Sequence, residues 1–213
     1  MKLTVGVIDY GVGNLYSVCR ALEHCGATAH LVADLSQLES CPRLVLPGVG
    51  AFANGMQELR KRGLVDTLLA YVQSGRPLLG ICLGMQLLFE VSEEFGDHAG
   101  LGIIPGRVSP VPNTGSDGKL HKIPHVGWAQ LFPPRGEWDS PLFAGVGSGQ
   151  AAYFLHSYAV ALDPGERCIG ALTDYDGVPI VAAVQSNNVF GCQFHPEKSG
   201  KLGLQVLSNF LSL

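Results

Sequence analysis

Leu78-Leu79-Gly80-Ile81-Cys82-Leu83-Gly84-Met85-Gln86 decides how the rest of the chain is read. It is a short apolar run that breaks into a helical pattern, with one cysteine between two glycines at the break. The pattern predicts a buried strand followed at once by a helix, the cysteine counterpart of the elbow that presents a nucleophilic serine. Flanking glycines suit a turn whose central residue is strained while strand and helix approach closely. A helix starting at the cysteine would aim free N–H groups and a positive dipole end at the sulfur, and thiolate is the reactive form. Taken alone, the stretch also reads as a core cysteine beside two packing glycines.

Upstream, Leu3 to Ile8 is β-branched and apolar, as a buried parallel strand requires. Asp9 to Asn14 is a glycine-containing turn, but G-x-G without a third glycine is a weak sign of phosphate binding. Leu15, Val18, Cys19, Leu22 and Cys25 follow at helical spacing, with Gly26 as a stop. Ala27 to Val32 and Arg43 to Leu46 supply two more strands, the second ending at Pro47-Gly48-Val49-Gly50-Ala51-Phe52. That exit through two glycines is where open parallel sheets place ligands, and its backbone N–H groups can face a developing anion. Two helical patterns then run to Gly75, and Leu87, Leu88 and Phe89 are expected to carry the elbow helix into the core. The alternation predicts an α/β fold with an open, doubly wound, mostly parallel sheet of the flavodoxin-like kind.

From Gly100 the character changes. Short apolar runs alternate with turn signals at Pro105-Gly106, Asn113 to Gly118, Pro133-Pro134, Asp163-Pro164-Gly165 and Asp176-Gly177. They predict antiparallel strands and hairpins appended to the sheet, with Asn113 to Gly118 a mobile loop. Val178 to Val184 and Asn188 to Phe194 are further strands, and Leu204, Leu207, Phe210 and Leu211 mark a final helix. No repeat or long linker divides the chain, so residues 1–213 are expected to form one domain.

With 46% hydrophobic and 15% charged residues, the chain has the composition of a compact globular protein. A net charge of −4 and no basic cluster longer than Arg60-Lys61-Arg62 argue against a nucleic-acid surface. The first apolar run is broken by Asp9, so it reads as a strand and not a signal peptide. No apolar stretch approaches a membrane span. Six cysteines (19, 25, 41, 82, 168, 192) without a C-x-x-C pair suit a reducing cytoplasm, five as small buried hydrophobes and one as chemistry.

The second informative stretch is His195-Pro196-Glu197. Proline holds the residue before it extended, and residues two apart in extended chain project to one side. A carboxylate bound to one ring nitrogen fixes the tautomer and leaves the other nitrogen for a thiol. His121 and His125 have metal-like spacing, yet Pro124 opposes a helix that would align them and no third ligand is evident, so no metal is expected. His156, in Tyr153-Phe154-Leu155-His156-Ser157-Tyr158, is a candidate lining residue.

G-I-C-L-G-M-Q around Cys82 together with F-H-P-E-K-S from Phe194 resembles the class I, triad-type glutamine amidotransferases. More narrowly, D-Y-G-V-G-N-L from Asp9, P-G-V-G-A-F from Pro47, I-P-H-V-G-W from Ile123 and Y-F-L-H-S-Y from Tyr153 resemble the glutaminase subunits of imidazole glycerol phosphate synthases, in histidine biosynthesis. The likeness runs from residue 9 to the last helix. Methionine is expected at Val126 and asparagine at Ala129, departures that lie outside the triad.

The resemblance implies that Cys82 attacks the side-chain amide of glutamine, His195 moves the proton and Glu197 orients the imidazole. It implies an oxyanion hole from the Leu83 N–H and the Val49-Gly50 segment. Gly48, Gly50, Gln86 and the backbone of His156, Ser157 and Tyr158 become glutamine contacts. No cofactor is implied. The partner is a (β/α)8-barrel cyclase subunit, joined as a heterodimer to which ammonia passes directly, with Asn14, His125, Trp128, Tyr153 and Lys198 at or near the contact. In that family the barrel's ligand switches on hydrolysis, with Gly48-Val49-Gly50 a sensible switch, so the isolated chain is expected to turn over slowly. The alternatives are a glutaminase serving anthranilate, aminodeoxychorismate, pyridoxal phosphate or nucleotide synthesis, a free-standing γ-glutamyl or peptide hydrolase, and a silent docking module.

Overall fold

The computed structural model describes residues 3–162 and 166–213; the turn predicted at Asp163-Pro164-Gly165 lies outside them. In chain order the first half runs β1 (Thr4–Ile8), α1 (Leu15–His24), β2 (Thr28–Val32), α2 (Leu35–Ser40), β3 (Leu44–Leu46), α3 (Phe52–Lys61), α4 (Leu64–Gln73), β4 (Leu78–Ile81) and α5 (Leu83–Leu87). The second half continues with β5 (Phe89–Ser92), β6 (His98–Ala99), β7 (Ile104–Pro110), β8 (His125–Phe132), β9 (Ala151–His156) and β10 (Tyr158–Ala161). It closes with β11 (Ile169–Tyr175), β12 (Val178–Ser186), β13 (Val189–Cys192) and α6 (Gly200–Leu211).

Nine strands form one sheet in the order β2-β1-β3-β4-β13-β12-β11-β8-β9. The first five are mutually parallel and the rest antiparallel. The order of the parallel part, with its reversal between β1 and β3, is that of a flavodoxin-like sheet, as expected. Side chains alternate between the faces: Val45 and Leu79 point to the core under α1 and α6, while Leu44, Leu46 and Leu78 join the core under α2, α3 and α4. Burial on both faces explains why these strands read as unbroken apolar runs. Helix α1 starts where the Asn14 side chain accepts the Ser17 N–H at 3.4 Å and stops before Gly26, whose φ of 90° suits glycine.

Three expectations need correction. The elbow helix α5 covers only five residues, and Phe89 opens a strand instead of extending it. The Leu88 carbonyl is taken by the N–H groups of Ile103 and Ile104 at 2.9 and 3.0 Å, so the returning chain ends the helix. Pro105-Gly106 is not a turn but a bulge inside β7, where Phe89 and Val91 of β5 face Ile104 and Arg107. Nor does everything after Gly100 extend the main sheet as antiparallel strands. β10, β7, β5 and β6 build a separate four-stranded sheet, and β13 inserts beside β4 and runs parallel to it.

The Asp176-Gly177 turn joins β11 to β12 as predicted, with φ of 52° and 79° at its two central residues. The polar loop at Asn113 to Gly118 leans on it, Ser116 N–H donating to the Asp176 carbonyl at 2.9 Å. Among the described residues no helix is long and apolar enough to cross a membrane.

Candidate active site

Cys82 has φ 53° and ψ −110°, a conformation L residues avoid, and a strained turn of this kind holds a side chain at one spot. The flanking glycines are there for space. A Cβ on Gly84 would lie 1.8 Å from the Leu46 carbonyl oxygen of β3, and one on Gly80 2.7 Å from the Gly84 carbonyl oxygen. Helix α5 is too short for much of a dipole, so the sulfur's electrostatic environment comes mainly from side chains.

The register of β4 and β13 brings the second stretch to the first. Gly80 pairs with Gly191 and Ile81 with Cys192 in parallel, and the Cys82 N–H donates to the Cys192 carbonyl at 2.7 Å. Both strands therefore end at the same edge of the sheet, and Cys82 and His195 line one cavity of about 250 Å³. Its size suits an amino acid better than a large ligand.

His195 Nδ1 and Glu197 Oε1 are 2.8 Å apart with both side chains buried. The pairing was predicted, but its cause differs: Pro196 to Lys198 form a tight 3₁₀ turn, so the carboxylate reaches the ring by turning back and not by extended alternation. Ser199 Oγ–H donates to the His195 carbonyl at 2.6 Å and accepts the Tyr153 N–H at 2.9 Å, fastening the segment to β9. Burial alone would depress the imidazole pKa, but interaction with the Cys82 thiol and the Glu197 carboxylate overrides it and raises the value to about 9. Nε2, which Glu197 leaves over, is buried with no hydrogen-bond partner among the described residues. A nucleophile, a base that can carry its proton and an acid that orients the base thus share one cavity.

Val49, Gly50, Leu83, Gln86, His156, Ser157 and Tyr158, expected at the oxyanion hole or as substrate contacts, also line it. Leu83 is the first residue of α5, so its N–H has no partner within the helix. Gly48 departs from prediction. It is buried outside the lining, and a Cβ there would meet the Tyr10 hydroxyl at 2.4 Å. That hydroxyl donates to the Pro47 carbonyl at 2.8 Å, pinning the start of the glycine segment.

Of the candidate contact residues, Trp128 is 60% exposed and packs edge-on against Tyr153 across β8 and β9, ring centroids 6.1 Å apart. The Lys198 ammonium lies 5.8 Å from the Tyr153 ring. Asn14 is half-buried as the cap of α1. His125 is not at the surface: it is 3% exposed, stacks on Tyr175 and donates from Nδ1 to His156 Nε2 at 3.1 Å. It sits on the inward phase of β8, opposite to Val126 and Trp128. Among the described residues no group of three potential metal ligands comes together.

Sequence reasoning missed Gln193, Glu94, Leu155 and Tyr10. Glu94 lines the cavity while its carboxylate accepts the Phe52 N–H, at 2.5 Å, at the head of α3. The Leu155 carbonyl accepts from the Cys82 thiol at 3.8 Å. Gln193 and Glu94 stand in no quoted motif, and Tyr10 and Leu155 stand in two without a role being read for them; only the tertiary structure shows what the four touch.

The family model described as glutamine amidotransferase class-I matches residues 6–212. The chain belongs to the class I glutamine amidotransferases. Members of this family hydrolyse glutamine, and so this amidotransferase is an enzyme. It is 45% identical over 213 residues to imidazole glycerol phosphate synthase subunit HisH 1 of Legionella pneumophila (strain Lens), covering 99% of each chain. It is 49% identical over 210 residues to subunit HisH of Geobacillus thermodenitrificans (strain NG80-2), covering 98% of this chain and 95% of the other. Among solved structures it resembles a glutamine amidotransferase with TM-score 0.73 and 20% identity, over 98% and 99% of the two chains. PurLQS from Thermotoga maritima gives TM-score 0.73 and 21% identity over 100% and 99%. At that identity the likeness concerns the fold.

Proposed function

We propose that this amidotransferase is the glutaminase subunit of an imidazole glycerol phosphate synthase, a single domain supplying ammonia to a (β/α)8-barrel cyclase in histidine biosynthesis. The observation that carries the chemistry is the β4–β13 pairing, which sets Cys82 and the His195–Glu197 pair on one amino-acid-sized cavity. The near full-length identity to HisH subunits supports the pathway.

In the proposed reaction the Cys82 sulfur bonds to the side-chain amide carbon of glutamine. The carbonyl electron pair moves to oxygen, where the N–H of Leu83 and the Val49-Gly50 segment receive it; such a donor is worth roughly 3 kcal/mol of barrier. Imidazolium at His195, favoured by Glu197, gives its proton to the amide nitrogen as the C–N bond breaks, releasing ammonia and leaving a thioester. Water attacks the thioester with His195 as base, the C–S bond breaks, and glutamate leaves. Gln86, Ser157 and Tyr158 line the site for the substrate, and Glu94 gives it an anion suited to the substrate's ammonium.

Docking is proposed over the cavity mouth. Val126 and Leu155 pair across β8 and β9 beside Trp128 and Tyr153, and Leu155 and Val49 are both exposed and both line the cavity. An apolar strip continuous with the site seals the ammonia path when covered. Val126, where methionine was expected, keeps the strip apolar. The setting is a reducing cytoplasm, where the six free cysteines stay unpaired.

Cys82→Ala in the pair reconstituted with the cyclase tests the reading. Glutamine-driven synthesis should be lost while ammonia-driven synthesis persists, and the isolated chain should hydrolyse glutamine slowly. Equal glutamine use by mutant and wild type would remove Cys82 from the chemistry.

A further inference from the structure

Gln193 lies two residues before His195, is 0% exposed, and has no part in the triad chemistry. Its side chain touches the sulfur, the Nε2 atom standing 3.8 Å from Cys82 Sγ, while its Oε1 accepts from Gln86 Nε2 at 3.0 Å. Which end of a buried amide points where is set by its neighbours, and here they leave one solution. Gln86 Nε2 also lies 2.9 Å from the Tyr158 carbonyl, which can only accept, so that atom is the nitrogen. The atom of Gln193 facing it is then the oxygen, and the atom facing the sulfur is the N–H donor.

The same Tyr158 carbonyl accepts from His156 Nδ1 at 2.9 Å, and His156 Nε2 accepts from His125. The buried histidine pair therefore anchors the far end of the chain of hydrogen bonds. As a thiol, Cys82 donates to the Leu155 carbonyl. As a thiolate it has no proton to donate and needs donors.

We propose that Gln193, locked by Gln86, is a positioning residue that donates its amide N–H to the Cys82 thiolate. It holds the sulfur in line for attack without contacting glutamine. The proposal rests on Cys82 being the nucleophile. Gln193→Glu keeps the volume and the bond from Gln86 but replaces the donor with an acceptor, and Gln193→Met removes both polar ends.

The test is the second-order rate of Cys82 alkylation by iodoacetamide at neutral pH in the full chain, read by mass spectrometry, with protection of buried Cys192 as the mark of a folded molecule. Both variants should react roughly tenfold or more slowly than wild type, the scale of a hydrogen bond to an ionised group. With the cyclase, kcat should fall comparably while KM for glutamine stays within about twofold, a split that loosened packing would not produce. Wild-type alkylation rates in folded variants overturn the proposal, and Gln193→Glu alone decides if Gln193→Met does not fold. Because alkylation involves no glutamine, this result is separate from the outcome of Cys82→Ala.

Discussion

Two histidines in one cavity are pushed in opposite directions. Burial drives His156 down to about 4, with the neighbouring His125 and His195 adding to the effect against the Tyr158 carbonyl, and burial likewise lowers His125. His195 is raised to about 9, as Cys82 and Glu197 outweigh its burial. Below the ordinary histidine range the unfolded chain binds protons that folded His156 and His125 refuse, so stability should fall from about pH 6.5 towards 4. Folded His195 holds its proton more tightly than the unfolded chain, so its contribution is complete below about pH 6.5 and is lost as pH rises through about 9. Urea-unfolding free energies should therefore peak between the two limbs. His156→Phe should flatten the acid limb, worth roughly 3 kcal/mol, and His195→Phe the alkaline one. At this scale the motif was a good guide: the proline before Glu197 and the short spacing announced a histidine with its own carboxylate, although a 3₁₀ turn and not extended chain joins them. Gln193 carried no such announcement, because a glutamine in an apolar strand is informative only once its two partners are known.

Among the elements, the elbow is the least tolerant. Leu46 O, 1.8 Å from a Cβ on Gly84, belongs to β3, which is hydrogen-bonded on both sides and cannot give way. Gly84→Ala should cost at least about 3 kcal/mol or prevent folding, measured by urea denaturation. Gly26→Ala is the matched control, because its φ is 90° but open space surrounds it, so only backbone strain of about 1 kcal/mol is expected. The glycines were legible because a strand-to-helix turn around a nucleophile needs them. The brevity of α5 was not: Leu87 to Phe89 is apolar enough for helix or strand, and the bonds from Ile103 and Ile104 choose strand.

For the whole molecule, the apolar strip at the cavity mouth is the feature a partner would use. Trp128→Ala should weaken binding of the cyclase by about 2 kcal/mol, roughly thirtyfold in Kd, by calorimetry. The alkylation rate of Cys82 in the isolated chain should not change. A Val126→Asp substitution should act in the same direction, whereas His125→Asn should not act through the interface, because His125 faces inward.

Local chemistry in the sequence settled which groups react, since a strained turn and a paired imidazole each require particular residues at short spacings, and it settled the parallel sheet, since only strands buried on both faces are apolar throughout. Where those groups meet was decided by tertiary structure. β13 comes from the far end of the chain and was free to extend the antiparallel edge; its parallel insertion beside β4 depends on hydrogen bonds between strands more than a hundred residues apart, which no local pattern encodes. The same pairing admitted Gln193 to the sulfur, and the register of β8 on β9 turned His125 away from the surface.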